Sequence, residues 1–106
     1  MLHLRRDGAL ILTPQKPLVA LYEDELGADI SEFMAAETAG CAAVVLDLSQ
    51  VCEMDSRGVS LVVDLHRRCR RAGLAFCVIG VTEHLRRVLD LCQLSTLFPV
   101  ETQVAS

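Results

Sequence analysis

Four consecutive residues, Asp55-Ser56-Arg57-Gly58, carry the side chains of this sequence that are best placed for chemistry. They lie where a predicted buried strand leads into an amphipathic helix. Either Asp55 or Ser56 is a good helix N-cap, because a short side-chain oxygen accepts a hydrogen bond from the free N–H groups of the first turn. The same N–H groups and the positive end of the helix dipole also favour a bound phosphate. The Ser56 hydroxyl is therefore either a helix cap or a phosphorylation site that acts as a switch.

We do not expect these residues to form a catalytic centre. Ser56 has Asp55 beside it but no general base, and the sequence contains neither a Gly-x-Ser-x-Gly elbow nor a glycine-rich phosphate loop. His66 falls on the apolar face of the predicted helix, where a histidine is ordinarily structural. His3 and His84 lie at no metal-ligand spacing from it. We therefore expect no enzyme, no metal site and no cofactor.

The composition predicts one small cytoplasmic domain. The chain has 106 residues, of which 52% are hydrophobic and 4% aromatic, and its formal net charge is −4. This length fits a single domain over residues 1–106, with residues 101–106 as a loose tail. The negative charge argues against nucleic acid as the main partner. No apolar run reaches the ~20 residues of a membrane helix, and residues 1–6 lack the apolar region of a signal peptide.

The cysteines favour a reducing compartment. Their number is odd and no C-x-x-C pair occurs. They stand at Cys41, Cys52, Cys69, Cys77 and Cys92. We expect small buried hydrophobic side chains at these positions rather than disulfide bonds or redox centres.

A β-hairpin is predicted at the start of the chain. Residues 2–4 alternate in polarity, Asp7-Gly8 is typical of a tight turn, and residues 9–12 form a short apolar run. Proline cannot donate a hydrogen bond within a ladder, so Pro14 and Pro17 end the second strand.

The stretch from Val19 to Glu37 admits two interpretations. Its apolar residues recur at steps of three or four, which predicts a helix, although Gly27 costs that helix about 1 kcal/mol relative to Ala. One long helix fits this pattern. A short strand over residues 18–22 fits as well, followed by a helix that Asp29 caps. The later part is helical in both interpretations and ends at a glycine, Gly40.

The rest of the chain alternates strands with helices. The nearly continuous apolar run of residues 42–48 predicts a strand buried on both faces, within a sheet that helices cover. The elements that follow are, in chain order, a helix from Ser56 or Arg57 to Arg71, a buried strand over residues 74–81, a helix capped by Thr82 and an edge strand over residues 97–100. This order predicts an α/β fold with a central, mainly parallel sheet of four to five strands, an N-terminal antiparallel pair and three to four helices.

The sequence resembles the STAS domain, a family named for sulfate transporters and anti-sigma-factor antagonists. The resemblance covers roughly residues 2–100. Its most specific part is the step from a central strand to a helix, Met54-Asp55-Ser56-Arg57-Gly58-Val59. The strand Val44-Val45-Leu46-Asp47-Leu48-Ser49 precedes this step, and Ser95-Thr96-Leu97-Phe98 ends the last helix. The resemblance implies a STAS-like fold.

The resemblance also implies a function. In the antagonists of this family, a partner kinase of the GHKL type phosphorylates the serine that follows the aspartate, and a PP2C-type phosphatase reverses the modification. Ser56 would then be the phosphorylated residue, and the unmodified protein would bind the anti-sigma factor. The implied partner-binding residues are Asp55, Arg57, Gly58, Ser60 and Asp64. Asp55 would position the hydroxyl or contact the partner, and Gly58 would admit the partner's backbone.

Two differences from the antagonists keep a second interpretation open. Arg57 stands where they usually carry a small residue, and it can clamp a phosphate on Ser56. Residues 16–19 replace their usual Gly-x-Leu-Asp, so that only Glu23 or Asp24 can supply the acidic residue that engages the kinase. The second interpretation is an unphosphorylated interaction module, either a scaffold subunit of a signalling assembly or the small subunit of a lipid-transport ATPase, in which Ser56 only caps the helix. The expected oligomeric state is a monomer or a weak homodimer.

Overall fold

The computed structural model of the chain describes residues 1–103. Its centre is a five-stranded sheet in the order β1-β2-β3-β4-β5. The strands are β1 (Leu2–Arg6), β2 (Ala9–Thr13), β3 (Ala43–Asp47), β4 (Ala75–Val81) and β5 (Val100–Thr102). β1 is antiparallel to β2, and each later strand is parallel to its neighbour. The predicted mixed and mainly parallel sheet is confirmed.

Helices connect the parallel strands. They are α1 (Glu23–Glu37), α2 (Ser56–Arg71) and α3 (Glu83–Leu91), with 3₁₀ turns at Ala20–Tyr22 and Leu94–Thr96. α2 has the predicted bounds. The predicted cap of α3 is also confirmed, because Thr82 Oγ1 accepts a hydrogen bond from Leu85 N at 3.2 Å. Within residues 1–103, no helix is both long and apolar enough to cross a membrane.

The predicted hairpin joins β1 to β2 through Asp7-Gly8. Asp7 has a φ of 52° and Gly8 a φ of 78°. Positive φ angles at both central residues define the type I′ turn, whose twist matches that of the flanking strands. The turn sets the pairing of the two strands, in which Leu4 lies opposite Ile11.

The start of α1 differs from both interpretations of the sequence. The helix begins at Glu23, and Asp29 lies inside it, where its carboxylate accepts a hydrogen bond from the N-terminal amine at 3.2 Å. Leu18 explains the difference. Its N–H donates to Glu53 O at 3.0 Å, and its carbonyl accepts from Asp55 N at 3.1 Å. These bonds hold Leu18 in an extended conformation, as a β-bridge to Met54. Because Leu18 is extended, the helix can start only after it.

Within residues 1–103, the helices cover one face of the sheet and leave the other uncovered. Along β2, β3 and most of β4, buried residues alternate with partly exposed ones. The buried set shares a single core with residues of all three helices, and from β2 to β4 it comprises Leu10, Leu12, Val44, Leu46, Phe76, Val78 and Val81. Right-handed crossovers between strands added in chain order place every helix on the same side. The predictions that β3 is buried on both faces and that the strand over residues 74–81 is fully buried are therefore wrong.

The last strand begins later than predicted. Residues 94–96 form a 3₁₀ turn, and β5 starts at Val100 rather than at Leu97. Glu101 and Thr102, which the sequence analysis assigned to a loose tail, belong to this strand. Gln103 N then donates to Val81 O at 2.8 Å. The remaining residues of the predicted tail, 104–106, lie outside the described part of the chain.

The five cysteines are free thiols in the structure, and not all of them are buried. Cys69 lies in the core, where burial raises the pKa of its thiol to about 11. Cys52 and Cys92 are exposed. The expectation of burial is wrong for these two, because they lie in connecting segments beyond the ends of the strands and helices that form the core.

A pair of neighbouring substitutions in β2 tests the one-sided core. Leu12 is fully buried, so Leu12→Ala should lower the free energy of unfolding by about 2–5 kcal/mol. Ile11 is on the uncovered face and partly exposed. Ile11→Ala should cost less, on the order of 1 kcal/mol. Urea denaturation of the two variants measures the difference, and equal losses would contradict a core confined to one face.

Candidate functional site

Asp55 is the N-cap of α2. Its backbone is extended, with φ −106° and ψ −172°. Its Oδ1 accepts hydrogen bonds from Arg57 N at 2.9 Å and from Gly58 N at 3.0 Å. The sequence left Asp55 and Ser56 as alternative caps, and the structure assigns the role to Asp55. Ser56 is the first helical residue, with an exposed side chain, so the interpretation of Ser56 as merely a cap is wrong.

The second oxygen of Asp55 reaches another segment of the chain. Oδ2 accepts a hydrogen bond from Ala20 N at 2.9 Å, so the aspartate ties the 3₁₀ turn before α1 to the start of α2. The next residue of that turn, Leu21, is 80% exposed. A large exposed apolar side chain therefore follows directly after the amide that Asp55 binds. Sequence reasoning missed Leu21, because an apolar residue in a connecting turn gives no signal that it is exposed.

The hydrogen bonds to Asp55 stabilise its charged form. The amides of Ala20 and Gly58, followed by that of Arg57, hold the pKa of the Asp55 carboxyl below its ordinary value, against a smaller opposing effect of burial. At neutral pH Asp55 is thus an ionised carboxylate that accepts hydrogen bonds from three backbone amides. This arrangement supports the start of the helix rather than proton transfer at Ser56.

Gly58 lies under the backbone of Leu18. A Cβ atom at position 58 would lie 1.9 Å from Leu18 O and 2.7 Å from Leu18 Cβ. The predicted close approach of a backbone is therefore present, but it comes from this chain and not from a partner. Gly58 is buried, so its contribution to any partner surface is indirect, through the position of the bridge that crosses it.

Arg57 points away from the core and toward α1. Its Nε lies 3.6 Å from Glu23 Oε2, and its side chain is 64% exposed. An exposed pair of this kind contributes little to stability, so Arg57 is available to another anion. Glu23, which the sequence proposed as a substitute acidic residue, is placed beside the site.

Ser60 and Asp64 continue from Ser56 along α2 at steps of four residues. Ser60 is exposed, and its hydroxyl donates to Ser56 O at 3.0 Å. Asp64 lines a groove of about 330 Å³ between α1 and α2. The walls of this groove include Glu23, Asp24, Gly27, Ile30, Ser31, Leu61, Leu65 and Arg68. The structure thus brings the exposed predicted partner-binding residues to one end and one side of α2.

His66, the histidine of α2, lies far from Ser56. His66 lies ten residues along α2 from Ser56, about 15 Å by helix rise. Its ring is tilted against Phe98 with centroids 5.2 Å apart. Burial, with the positive charges of Arg70 and Arg67, lowers the pKa of His66. Among residues 1–103, no three His, Cys, Asp or Glu side chains come together as metal ligands.

The site is thus an exposed serine at the start of a helix, in an α/β fold with a mainly parallel sheet. The chain belongs to the STAS domain family, whose model matches residues 3–106. The family predicted from the strand-to-helix motif is therefore confirmed.

Solved structures with the same fold include several anti-sigma-factor antagonists. A putative antagonist from Thermotoga maritima is 22% identical, with 96% of this chain and 86% of that chain covered and a TM-score of 0.83. An antagonist from Mycobacterium paratuberculosis is 22% identical, with 94% and 82% covered and a TM-score of 0.77. The phosphorylated form of the Bacillus cell fate determinant SpoIIAA is 15% identical, with 95% and 87% covered and a TM-score of 0.68. At these identities the likeness concerns the fold.

Two glycine substitutions test the packing under the site. Gly58→Ala should destabilise the protein by about 2 kcal/mol or more, because the new methyl group collides with the Leu18 backbone. Gly27→Ala is the matched control within α1, where a Cβ would lie 3.8 Å from Leu61 Cδ2, an ordinary contact. It should raise the free energy of unfolding by about 1 kcal/mol through helix propensity. Thermal or urea unfolding measures both, and a neutral Gly58→Ala variant would contradict the predicted collision.

The pH dependence of unfolding tests the hydrogen bonds of Asp55. A carboxyl whose folded pKa is lowered stabilises the fold above its unfolded pKa, and that stabilisation is lost as the pH falls through the folded value. The loss should therefore begin near the ordinary value of 3.8 and continue below it. Asp55→Asn keeps an acceptor oxygen but does not titrate. The stability difference between wild type and Asp55→Asn should shrink below about pH 4, and a constant difference from pH 7 to pH 3 would contradict this assignment.

Proposed function

We propose that this chain is a non-enzymatic protein-binding module whose binding is controlled by phosphorylation of Ser56. The proposed partner is an anti-sigma factor that is also a GHKL-type serine kinase, and a PP2C-type phosphatase would remove the phosphate. The observation that carries this proposal is the exposed hydroxyl of Ser56 at the first position of α2, directly after the capping Asp55. Membership of the STAS domain family and the fold of SpoIIAA, a protein known in a phosphorylated form, support it.

The fold can accept a phosphate on Ser56. The hydroxyl is at the positive end of the α2 dipole, which favours negative charge, and it is exposed. The amide groups of Arg57 and Gly58 already donate to Asp55, so they are not required to hold the phosphate. The modification therefore adds about −1.5 to −2 charges at the surface while the cap of α2 stays in place.

The same phosphate would oppose binding of a partner that packs on the site. The exposed Leu21 beside Asp55 offers an apolar contact, and Ser60 and Asp64 extend the surface along α2. A partner that covers these residues would also cover the phosphate. Burying a dianion without a matching cation is costly, and the Asp55 carboxylate adds like-charge repulsion. Binding is thus weakened by electrostatics and desolvation, without a change of fold.

An unphosphorylated scaffold is the second candidate function, and one observation favours it. Asp55 already occupies two amide groups at the start of α2 that would otherwise attract a phosphate. In that case the same surface would bind a signalling assembly or a lipid-transport ATPase without regulation at Ser56. The two candidates differ in whether a charge at position 56 changes the affinity for the partner.

Phosphorylation with a serine kinase of the GHKL type from the same genome tests the proposal. In the presence of ATP, wild type should gain one phosphate by intact mass spectrometry, and Ser56→Ala should gain none. Thr96→Ala, which removes an exposed hydroxyl outside the surface proposed for the partner, should be modified like wild type. Binding of the kinase measured by calorimetry should weaken by about ten-fold or more in Ser56→Asp, a loss of about 1.4 kcal/mol.

Two results would reject the switch. One is an active kinase that modifies a known substrate but leaves Ser56 of this chain unmodified. The other is a partner that binds wild type and Ser56→Asp with the same affinity, which is the result expected of the scaffold. Circular dichroism of Ser56→Asp should match that of wild type, because the cap residue is unchanged.

A further inference from the structure

The edge of the sheet at β1 is open to a further strand. β1 has five residues, all of them exposed, and it contains no proline. Its register with β2 runs along the whole strand without a bulge. Its charged side chains are directed elsewhere, since Arg5 Nη2 donates to Ala39 O at 2.6 Å and Arg6 Nε lies 3.8 Å from Asp7 Oδ2. A long, regular and exposed edge of this kind accepts another strand.

The opposite edge of the sheet, at β5, is protected. β5 has three residues and directly follows Pro99. Its pairing with β4 shifts register between Val78 and Val81. Its central residue, Glu101, is exposed and charged. Short length, a neighbouring proline, irregular pairing and charge each discourage the addition of a strand. The two edges therefore differ, and β1 is the edge that can accept a strand.

The hairpin turn determines which backbone groups of β1 face outward. A two-residue type I′ turn closes on a hydrogen-bonded pair, which is here Arg6 with Ala9. Hydrogen-bonded and non-hydrogen-bonded pairs alternate along an antiparallel ladder. The N–H and C=O groups of His3 and Arg5 therefore point away from β2. Within residues 1–103 no strand lies beyond β1 in the sheet, so these two donors and two acceptors have no partner strand.

We propose that β1 pairs in antiparallel orientation with β1 of a second copy of this chain, about a two-fold axis that passes through Leu4. In this register the outward N–H and C=O groups of His3 meet those of Arg5 of the second copy. The axis repeats the pairing, so that four backbone hydrogen bonds form. The hairpin itself does not change. An edge with this spacing of free groups is complementary to itself, which identifies a second copy as the occupant.

The side chains of β1 favour this register over its neighbours. The axis sets the two Leu4 side chains opposite each other in a non-hydrogen-bonded pair, in which side chains lie closest, and Leu4 is 54% exposed in one copy. It also places the alkyl stem of Arg6 across from Leu2 of the second copy, which is 50% exposed. An axis at Arg5 would set two arginines against each other. An axis at His3 would pair only three of the five residues of each strand.

The proposed contact is small and predicts weak association. One strand against one strand buries less than the ~1,200 Å² at which standard interfaces begin, so we expect a dissociation constant on the order of 100 μM. The two-fold axis is perpendicular to the sheet, so the sheets of the two copies become continuous and all helices lie on the same side. β1 is not part of the surface proposed around Ser56, so this inference does not rest on the proposed function.

Sedimentation equilibrium of the full chain from about 10 μM to about 1 mM tests the pairing. The average mass of wild type should rise from monomer toward dimer. His3→Pro removes an outward N–H, a change that an edge strand tolerates. Because each dimer then loses two hydrogen bonds, association should weaken by about ten-fold or more.

His3→Ala is the matched control. Both variants lose the stack of the His3 ring on Phe33, whose centroids are 4.2 Å apart, but only the proline removes the N–H. His3→Ala should therefore associate like wild type. A monomer mass for wild type at every concentration, or equal association of the two variants, would overturn the proposal.

Charges at position 4 test the axis without a proline. Leu4→Glu and Leu4→Lys should each associate about ten-fold more weakly than wild type or worse, because two like charges then lie opposite each other. An equimolar mixture should associate more tightly than either variant alone, since a carboxylate then faces an ammonium group. Leu91→Glu and Leu91→Lys form the control pair on α3, where Leu91 is 85% exposed, and should associate like wild type both alone and mixed. Thermal unfolding checks the fold of every variant. A mixture of the position 4 variants no tighter than the separate variants would show that the axis at Leu4 is wrong.

Discussion

The carboxylate of Asp55 is the interaction on which the rest of the site depends. One of its oxygens closes the first turn of α2, and the other holds the 3₁₀ turn that leads into α1. A single side chain thus fixes where α2 begins and how the two helices meet at this end of the sheet. The same contact helps to fix the positions of Leu21, which follows the bonded amide of Ala20, and of Glu23, three residues after Ala20.

The spacing of Asp55 and Gly58 has an intramolecular cause. The aspartate must precede the helix to cap it. Gly58, three residues later, lies where the backbone of Leu18 crosses α2. Any side chain at that position would meet the Leu18 carbonyl. Asp55 and Gly58, the two residues that define the motif, therefore both have structural roles. The intervening Ser56 and Arg57 have no comparable packing role, and their exposed side chains are free to serve binding.

Local signals in the sequence predicted much of this structure, and non-local pairings account for what they missed. The Asp7-Gly8 turn and the bounds of α2 follow from a few adjacent residues, so they were predictable. Val44 and Val45 are chemically identical, yet one is in the core and the other is on the uncovered face of the sheet. Only the order of the strands and the side taken by the crossovers distinguish them. The bridge of Leu18 to Met54 likewise joins segments far apart in the chain, and it explains both the late start of α1 and the need for Gly58.

The capping bonds also constrain how the proposed switch can work. Because Asp55 retains the amides of Arg57 and Gly58, a phosphate on Ser56 has no need to rebuild the start of α2 and remains at the surface. The effect of the phosphate then falls on whatever packs against Leu21 and the exposed side of α2, as added charge that the partner must desolvate.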